Sequence, residues 1–190
     1  IDDNSNESDL NDHIEPILQV KNLKKFFPIR SGLLQRQVGW VKAVDGVSFS
    51  LNKGKILGLV GESGCGKTTT GRMILKALEP SSGQIQFKKN NNELVNIPEL
   101  NEQQLKEVRK EVQMIFQDPY SSLNPRMPVL DLISEPLKAY GWSKKDREER
   151  AVELMDRVGL DPRYLRRYPH AFSGGQRQRV AIARAFLKDA

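Results

Sequence analysis

Apolar and polar positions recur along the chain with the periods of strands and helices. Residues 17–23 and 41–51 alternate as half-buried strands do. The short apolar runs at 56–60 and 112–116 are typical of strands buried in a parallel sheet. Residues 85–87 predict one arm of a hairpin whose second arm is Leu94 and Val95. The pattern therefore predicts several strands spread over the first two thirds of the sequence.

Helices are predicted between and after these strands, and their bounds are residues 67–78, 102–110, 129–140, 143–158 and 173 to the chain end. Ser143 and Asp146 have the spacing of a capping box at the start of the fourth helix. Residues 28–39, which are basic and contain two glycines, predict a loop. The alternation of strands and helices predicts an α/β fold with a parallel sheet.

Charge is unevenly distributed along the 190 residues, which include 30 Lys and Arg and 24 Asp and Glu. Six acidic residues precede the first basic residue, Lys21, so residues 1–16 predict a disordered acidic tail. The basic remainder suits nucleotide phosphates, anionic lipid headgroups or nucleic acid, and equally an ordinary solvated surface. Charge alone leaves these possibilities open.

Cysteine, histidine and hydropathy narrow the class of protein. A single cysteine excludes an internal disulfide framework and a multi-cysteine zinc site, and two distant histidines argue against a histidine metal cluster. No apolar run approaches the roughly 18 residues of a membrane-spanning helix.

The most specific motif lies at residues 61–68, which read Gly-Glu-Ser-Gly-Cys-Gly-Lys-Thr between an apolar run and a helix. This spacing is that of a phosphate-binding loop, whose backbone amides and following helix N-terminus attract anions. We expect Lys67 to reach the β- and γ-phosphates and Thr68 to bind Mg²⁺; a mere tight turn is the alternative. The expected nucleotide-binding residues of this loop are Gly61, Ser63, Gly64, Cys65, Gly66, Lys67, Thr68 and Thr69.

A second motif, Phe-Ser-Gly-Gly-Gln-Arg-Gln-Arg at residues 172–179, precedes the last helix. Its Ser-Gly-Gly turn offers a hydroxyl, two unobstructed backbone amides and a helix N-terminus, which together make a second anion site. A plain helix cap is the alternative interpretation. Two such sites in one chain suggest different nucleotides or two faces of one nucleotide.

With both motifs in view, the sequence resembles the nucleotide-binding subunits of ATP-binding-cassette (ABC) transporters over residues 17–190. Residues 61–68 resemble the family's Walker A motif. Gln117 matches the Q-loop glutamine, and Phe27 lies where the family stacks an aromatic ring on adenine. The residues that match the signature motif are Ser173, Gly174, Gly175 and Gln176. The resemblance implies a P-loop parallel sheet core with an N-terminal antiparallel β subdomain and a helical subdomain at about 120–172.

A closer resemblance, to the ATPases of oligopeptide and dipeptide permeases, is carried by residues 42–49, 114–126 and 168–179. Tyr120 and residues 79–83 favour the F-type member of the paired D- and F-type subunits. This resemblance implies import of peptides, and nickel or another small solute is the alternative because those importers share the same features. A soluble ABC ATPase acting on nucleic acid is a further alternative that the basic excess would suit, whereas the signature motif argues against a P-loop kinase.

The family implies ATP and Mg²⁺, with Lys67 and Gln117 as catalytic residues and Thr68 and Gln117 as metal ligands. It also implies a second ABC ATPase subunit, for which a D-type partner is favoured, and integral membrane permease subunits. The chain would then lie peripherally on the cytoplasmic face of the inner or plasma membrane, with no nucleic acid expected.

The family's Walker B strand with its catalytic Glu, its D-loop and its switch histidine would follow the signature helix, and the sequence contains none of them. We therefore expect a fragment that does not hydrolyse ATP alone. Two smaller departures are Phe172, where many members have Leu, and Cys65, where many have Ser.

Overall fold

A computed structural model describes residues 15–32, 35–118 and 122–186. The chain forms two compact units that divide between Glu111 and Val112. Most of the predicted acidic tail, Tyr120 and the end of the last predicted helix lie outside the described residues.

The first unit contains a four-stranded antiparallel sheet in the order β2-β1-β3-β4. Its strands are β1 (Pro16–Ser31), β2 (Arg36–Asn52), β3 (Ser82–Lys88) and β4 (Leu94–Asn96). The strands predicted at 17–23 and 41–51 and the predicted hairpin are confirmed. Val20, Leu23, Val44, Ile85 and Phe87 are buried. This sheet is the antiparallel β subdomain that the resemblance implied.

Two helices accompany this sheet, α1 (Lys67–Ile74) and α2 (Glu102–Glu111). Both were predicted, although α1 ends four residues earlier than expected. The chain leaves α1 through a left-handed residue, Lys76, whose φ is 49°. Met73 of α1 is buried, as are Leu105 and Val108 of α2.

The prediction of a loop at residues 28–39 is wrong, because β1 and β2 stay paired as far as Ser31 and Arg36. The turn between them is closed by Gln35 N, which donates to Gly32 O at 3.1 Å. β-Branched and aromatic side chains such as Ile29, Val38 and Trp40 favour extended backbone, and cross-strand pairing outweighs the basic, glycine-containing composition that indicated a loop.

The strands predicted at 56–60 and 112–116 are also wrong for this structure, which has no parallel pairing among its described residues. Both segments lack regular structure. Ile56 is 99% exposed and Val60 97%. A parallel strand is stable only when neighbouring strands satisfy its backbone groups and helices cover its faces, and the described residues supply no strand beside either segment.

The second unit is helical, with α3 (Val129–Ala139), α4 (Lys144–Arg157), α5 (Gly174–Ala185) and the 3-10 turns Pro162–Arg166 and Pro169–Ala171. Its core includes Ile133, Leu154 and Val180. The predicted helices are confirmed. Ser143 caps α4, since its Oγ accepts a hydrogen bond from Asp146 N at 3.2 Å.

The last helix is buried on one side only: Val180 and Ala183 are buried, whereas Phe186 at its end is 47% exposed. Within the described residues, no helix is long and apolar enough to cross a membrane.

Candidate nucleotide-binding site

The loop at residues 61–66 is joined to α1 by a crowded turn at Gly66, the N-cap of that helix. Gly66 has a φ of 95°, and a Cβ atom there would lie 2.3 Å from Ala43 O. Thr70, which is buried, donates from its Oγ1 to Gly66 O at 3.0 Å. Only glycine fits this position, so the loop meets the helix in one defined conformation.

The ammonium group of Lys67 occupies the bend of this loop. Its Nζ donates to the carbonyl oxygens of Gly61 and Glu62, at 2.7 Å each, and lies 3.5 Å from Cys65 Sγ. Phosphate oxygens form charge-assisted hydrogen bonds with ammonium groups that are stronger than those of neutral carbonyls. An arriving phosphate can therefore replace the two carbonyl oxygens as acceptor of the hydrogen bonds that Lys67 Nζ donates.

The surroundings of the loop suit an anion. The first turn of α1 contains no acidic residue, and the helix N-terminus contributes a partial positive charge. Ser63, Gly64, Cys65 and Thr68 are exposed, and Thr69 is half-buried. The backbone and side-chain groups expected to bind nucleotide are therefore accessible.

The signature residues form the N-terminal cap of α5. Ser173 Oγ accepts from Gln176 N at 3.3 Å, and Ser173 N donates to Gln176 Oε1 at 3.0 Å, which completes a capping box. Gly174 is half-buried and Gly175 is exposed; apart from its chain neighbours and the backbone of its own helix, no described residue comes within 4 Å of where a Cβ of Gly175 would be. The helix-cap interpretation is therefore confirmed, and the predicted anion site stays a prediction that uses the same groups.

Aromatic and cationic side chains fix the approach to this cap. Phe172 is buried and packs edge-on against Tyr164, with ring centroids 6.0 Å apart. The guanidinium of Arg167 lies 4.0 Å from the Tyr164 ring centroid. Arg177 Nε donates to Pro169 O at 2.8 Å. Phe172 thus replaces the more usual leucine without leaving the core.

A carboxylate stabilises the 3-10 turn that precedes these residues. Asp161 caps Pro162–Arg166, with its Oδ1 accepting from Arg163 N at 2.9 Å. Hydrogen bonds from the Arg163 side chain hold the pKa of the Asp161 carboxyl below its usual value.

The other two predicted residues lie on different elements. Gln117 is exposed and follows residues 112–116 in the second unit. Phe27 lies on β1 opposite Val41 and is 39% exposed, with Lys25 Nζ 5.1 Å from its ring centroid. The catalytic and metal-binding roles of Gln117 and the adenine contact of Phe27 stay predictions.

The described residues contain no group of three His, Cys, Asp or Glu side chains that could hold a metal ion. Mg²⁺ commonly binds to nucleotide phosphates and one or two protein oxygens. The exposed hydroxyl of Thr68, next to Lys67 in the first turn of α1, fits that role.

Sequence reasoning missed the two residues that shape the loop junction, Ala43 and Thr70. The contact of Ala43 with Gly66 joins residues far apart in sequence, so no local pattern indicates it. Thr70 could have been found, because a threonine four residues after Gly66 is placed to bond back to its carbonyl.

Residues 44–190 match the ABC transporter family, and the chain belongs to it. The chain is 55% identical to the oligopeptide transport ATP-binding protein AppF of Bacillus subtilis over 173 residues. This match covers 90% of the chain and 51% of AppF. It is 52% identical to the glutathione import ATP-binding protein GsiA of Pectobacterium atrosepticum over 174 residues. This match covers 91% of the chain and 27% of GsiA.

A solved structure supports the same assignment of the fold. The ATP-binding cassette MJ0796, a dimer in a post-hydrolysis state with ADP and Pi, superposes with a TM-score of 0.73 at 26% identity, covering 90% of this chain and 70% of that one. The chain therefore has the fold of an ABC ATPase cassette, and it spans about half or less of the two curated relatives named above.

Proposed function

We propose that this chain is the ATP-binding part of an ABC importer that couples ATP hydrolysis to the uptake of peptides. The observation that carries the proposal is the Lys67 ammonium, which two carbonyl oxygens hold in the bend of an exposed loop at the start of α1. That placement gives a phosphate chain a cation and a helix N-terminus together.

The substrate and the partners are finer parts of the proposal. Oligopeptide and glutathione import are the activities in the names of the two relatives, and both solutes contain peptide bonds. Nickel or another small solute remains the alternative. The partners are a second ABC ATPase subunit, for which a D-type subunit is favoured, and integral membrane permease subunits. The chain would then lie peripherally on the cytoplasmic face of the membrane.

Each residue has a defined part in this mechanism. Lys67 would bind the β- and γ-phosphates, and the Thr68 hydroxyl would hold Mg²⁺, whose charge would offset that of the phosphate oxygens. Ser173 and Gly175 contact the ATP of the partner subunit. Gln117 would orient the attacking water and the metal.

Nucleotide binding is tested with Lys67→Ala in the full-length protein. The variant should bind a fluorescent ATP analogue at least several-fold more weakly, because charged hydrogen bonds contribute about 1.5–3 kcal/mol. Lys106→Ala is the matched control, since Lys106 is an exposed cation on α2 of the same unit. Equal affinity of the Lys67 variant and the parent would overturn the assignment.

The role of the signature cap is tested with Gly175→Ala. An added methyl group meets no atom within 4 Å, so the melting temperature and ATP binding by the same subunit should be unchanged. ATP hydrolysis by the assembled transporter should fall, because the methyl group would meet the partner's nucleotide. Full hydrolysis by this variant would remove Gly175 from the partner's site.

A further inference from the structure

The distal half of the β1–β2 pair is a two-stranded ribbon, defined here as residues 28–31 and 36–40. The third strand, β3, pairs with β1 only between Leu18 and Lys24. Among the described residues, β1 beyond that point pairs only with β2, as in Pro28↔Trp40 and Ile29↔Gly39. A two-stranded hairpin without a covering layer is marginally stable in water, so a partner that packs on the ribbon would stabilise it.

Large apolar side chains are exposed on both faces of the ribbon. Trp40 is 54% exposed, Ile29 44% and Val38 64%. Ile29 and Trp40 lie on opposite faces, because Trp40 pairs with Pro28 and neighbouring residues of a strand point to opposite sides. All three side chains are therefore only partly covered by the described residues. Exposed apolar side chains on both faces of one short segment are available to an apolar partner that takes up the whole ribbon.

The charge of this segment is entirely positive. Between Glu15 and Asp45 the sequence has no acidic residue and contains Lys21, Lys24, Lys25, Arg30, Arg36 and Lys42. Arg30 and Arg36, near the turn of the ribbon, are exposed and form no ion pair within residues 15–32, 35–118 and 122–186. At the base of the ribbon, by contrast, Lys42 pairs with Asp45 at 3.1 Å. The unpaired cations therefore accompany the exposed apolar residues.

We propose that the ribbon binds the surface of an anionic lipid bilayer. Trp40, Ile29 and Val38 would enter the boundary between headgroups and acyl chains, where tryptophan is enriched in membrane proteins. Arg30 and Arg36 would contact lipid phosphates, because cations near an anionic leaflet are attracted to it.

The side chains favour lipid over nucleic acid. A nucleic-acid surface uses cations with several aromatic rings on which bases stack. The ribbon has one exposed aromatic ring, Trp40, and two exposed aliphatic side chains, Ile29 and Val38. Aliphatic side chains cannot stack on bases, whereas all three side chains lose apolar surface to water at a bilayer.

This contact goes beyond the proposed function, because it requires neither ATP nor a permease. Phe27, assigned above to adenine, is not part of the ribbon. The Lys67→Ala variant should therefore bind vesicles as the parent does, so failure of one proposal is distinguishable from failure of the other.

The test is co-sedimentation of the full-length protein with vesicles of equal parts phosphatidylglycerol and phosphatidylcholine, compared with pure phosphatidylcholine vesicles and with no vesicles. The parent should bind the anionic vesicles in preference, and binding should weaken as salt is raised. R30Q combined with R36Q should lower the affinity roughly thirty-fold, since each cation near the surface contributes about fivefold. Trp40→Ala should lower it several-fold.

Matched controls lie in the second unit. K144Q combined with K145Q removes the same charge from exposed lysines of α4, and Trp142→Ala removes a tryptophan that is 38% exposed. Both should leave vesicle binding unchanged. Equal losses in the control and ribbon variants would overturn the proposal. So would parent-level binding by both ribbon variants, or preferential binding of a single-stranded RNA that depends on Trp40 and displaces the vesicles.

Discussion

Single residues in the phosphate-binding loop act mainly through where their backbone lies. Gly66 is fixed by the nearby carbonyl of Ala43, and the Lys67 ammonium is held by two further carbonyls. Cys65 differs, because its side chain is exposed and its Sγ faces the same loop: a Cβ atom on Gly61 would lie 2.5 Å from it. We therefore expect the reactivity of this thiol to depend on whether nucleotide occupies the loop.

Cys65 in the full-length protein should react with a maleimide, and MgATP should slow that reaction. A phosphate chain beside Lys67 would cover the thiol, whose Sγ is 3.5 Å from Lys67 Nζ. Mass spectrometry of the peptide containing Cys65 measures the labelling, and the Lys67→Ala variant should lose the protection. Equal labelling rates with and without nucleotide would place Cys65 outside the site.

At the scale of elements, one buried arginine connects two helices of the second unit. Arg150 on α4 is 5% exposed; its Nη1 contacts Glu153, and its Nη2 donates to Phe186 O, at the end of α5, at 3.2 Å. The hydrogen bond from Arg150 is the main cause that lowers the pKa of Glu153 below its usual 4.5. Because the Glu153 carboxylate bonds to Arg150, its ionisation stabilises the helix that carries both residues.

Glu153→Gln should lower the melting temperature of the protein slightly at neutral pH. The folded pKa of Glu153 is depressed, so its contribution is fully present above pH 4.5 and is lost as the pH falls through the folded value. Thermal melts followed by circular dichroism should show that the difference in melting temperature between the variant and the parent disappears in acid. Glu149→Gln, which changes an exposed residue of the same helix, is the control, and a difference that grows in acid would contradict this assignment.

The elements predicted well from sequence are those defined by local interactions. Ser143 and Ser173 cap their helices as their spacing indicated, because a cap involves residues only three positions apart. The ribbon and the segments at 56–60 and 112–116 were mispredicted, because a strand depends on distant partners that composition does not reveal. Lys67 could be picked out because its motif is local in sequence. The contact of Ala43 with Gly66 joins residues far apart in sequence, so no local pattern predicted it.

For the whole molecule, the exposed apolar segments affect behaviour in solution. Ile56 and Val60 of the first unit are almost fully exposed, and Ile115 and Phe116 of the second are 46% and 50% exposed. Surfaces of this kind promote association between chains, especially where backbone groups also lack strand partners.

The 190-residue chain, purified alone, should therefore self-associate and hydrolyse no ATP above background. The catalytic Glu that the family places after the signature helix is not in this sequence, and general-base assistance contributes about 10²–10⁴-fold. Light scattering and phosphate release measure the two effects, and a chain extended through the missing motifs should regain solubility and turnover. Steady, Lys67-dependent phosphate release from a monomeric 190-residue chain would contradict this prediction.

The narrowing of the sheet at Lys24, from three strands to two, has a consequence for how fast backbone protons are replaced by deuterium. Val20 lies between two neighbouring strands and is buried, whereas Ile29 has one neighbouring strand and is exposed. In the free protein, amides near Ile29 should exchange much faster than those near Val20, because a ribbon opens locally at little cost in free energy. Anionic vesicles should slow exchange around Ile29 and Trp40 while leaving Val20 unchanged.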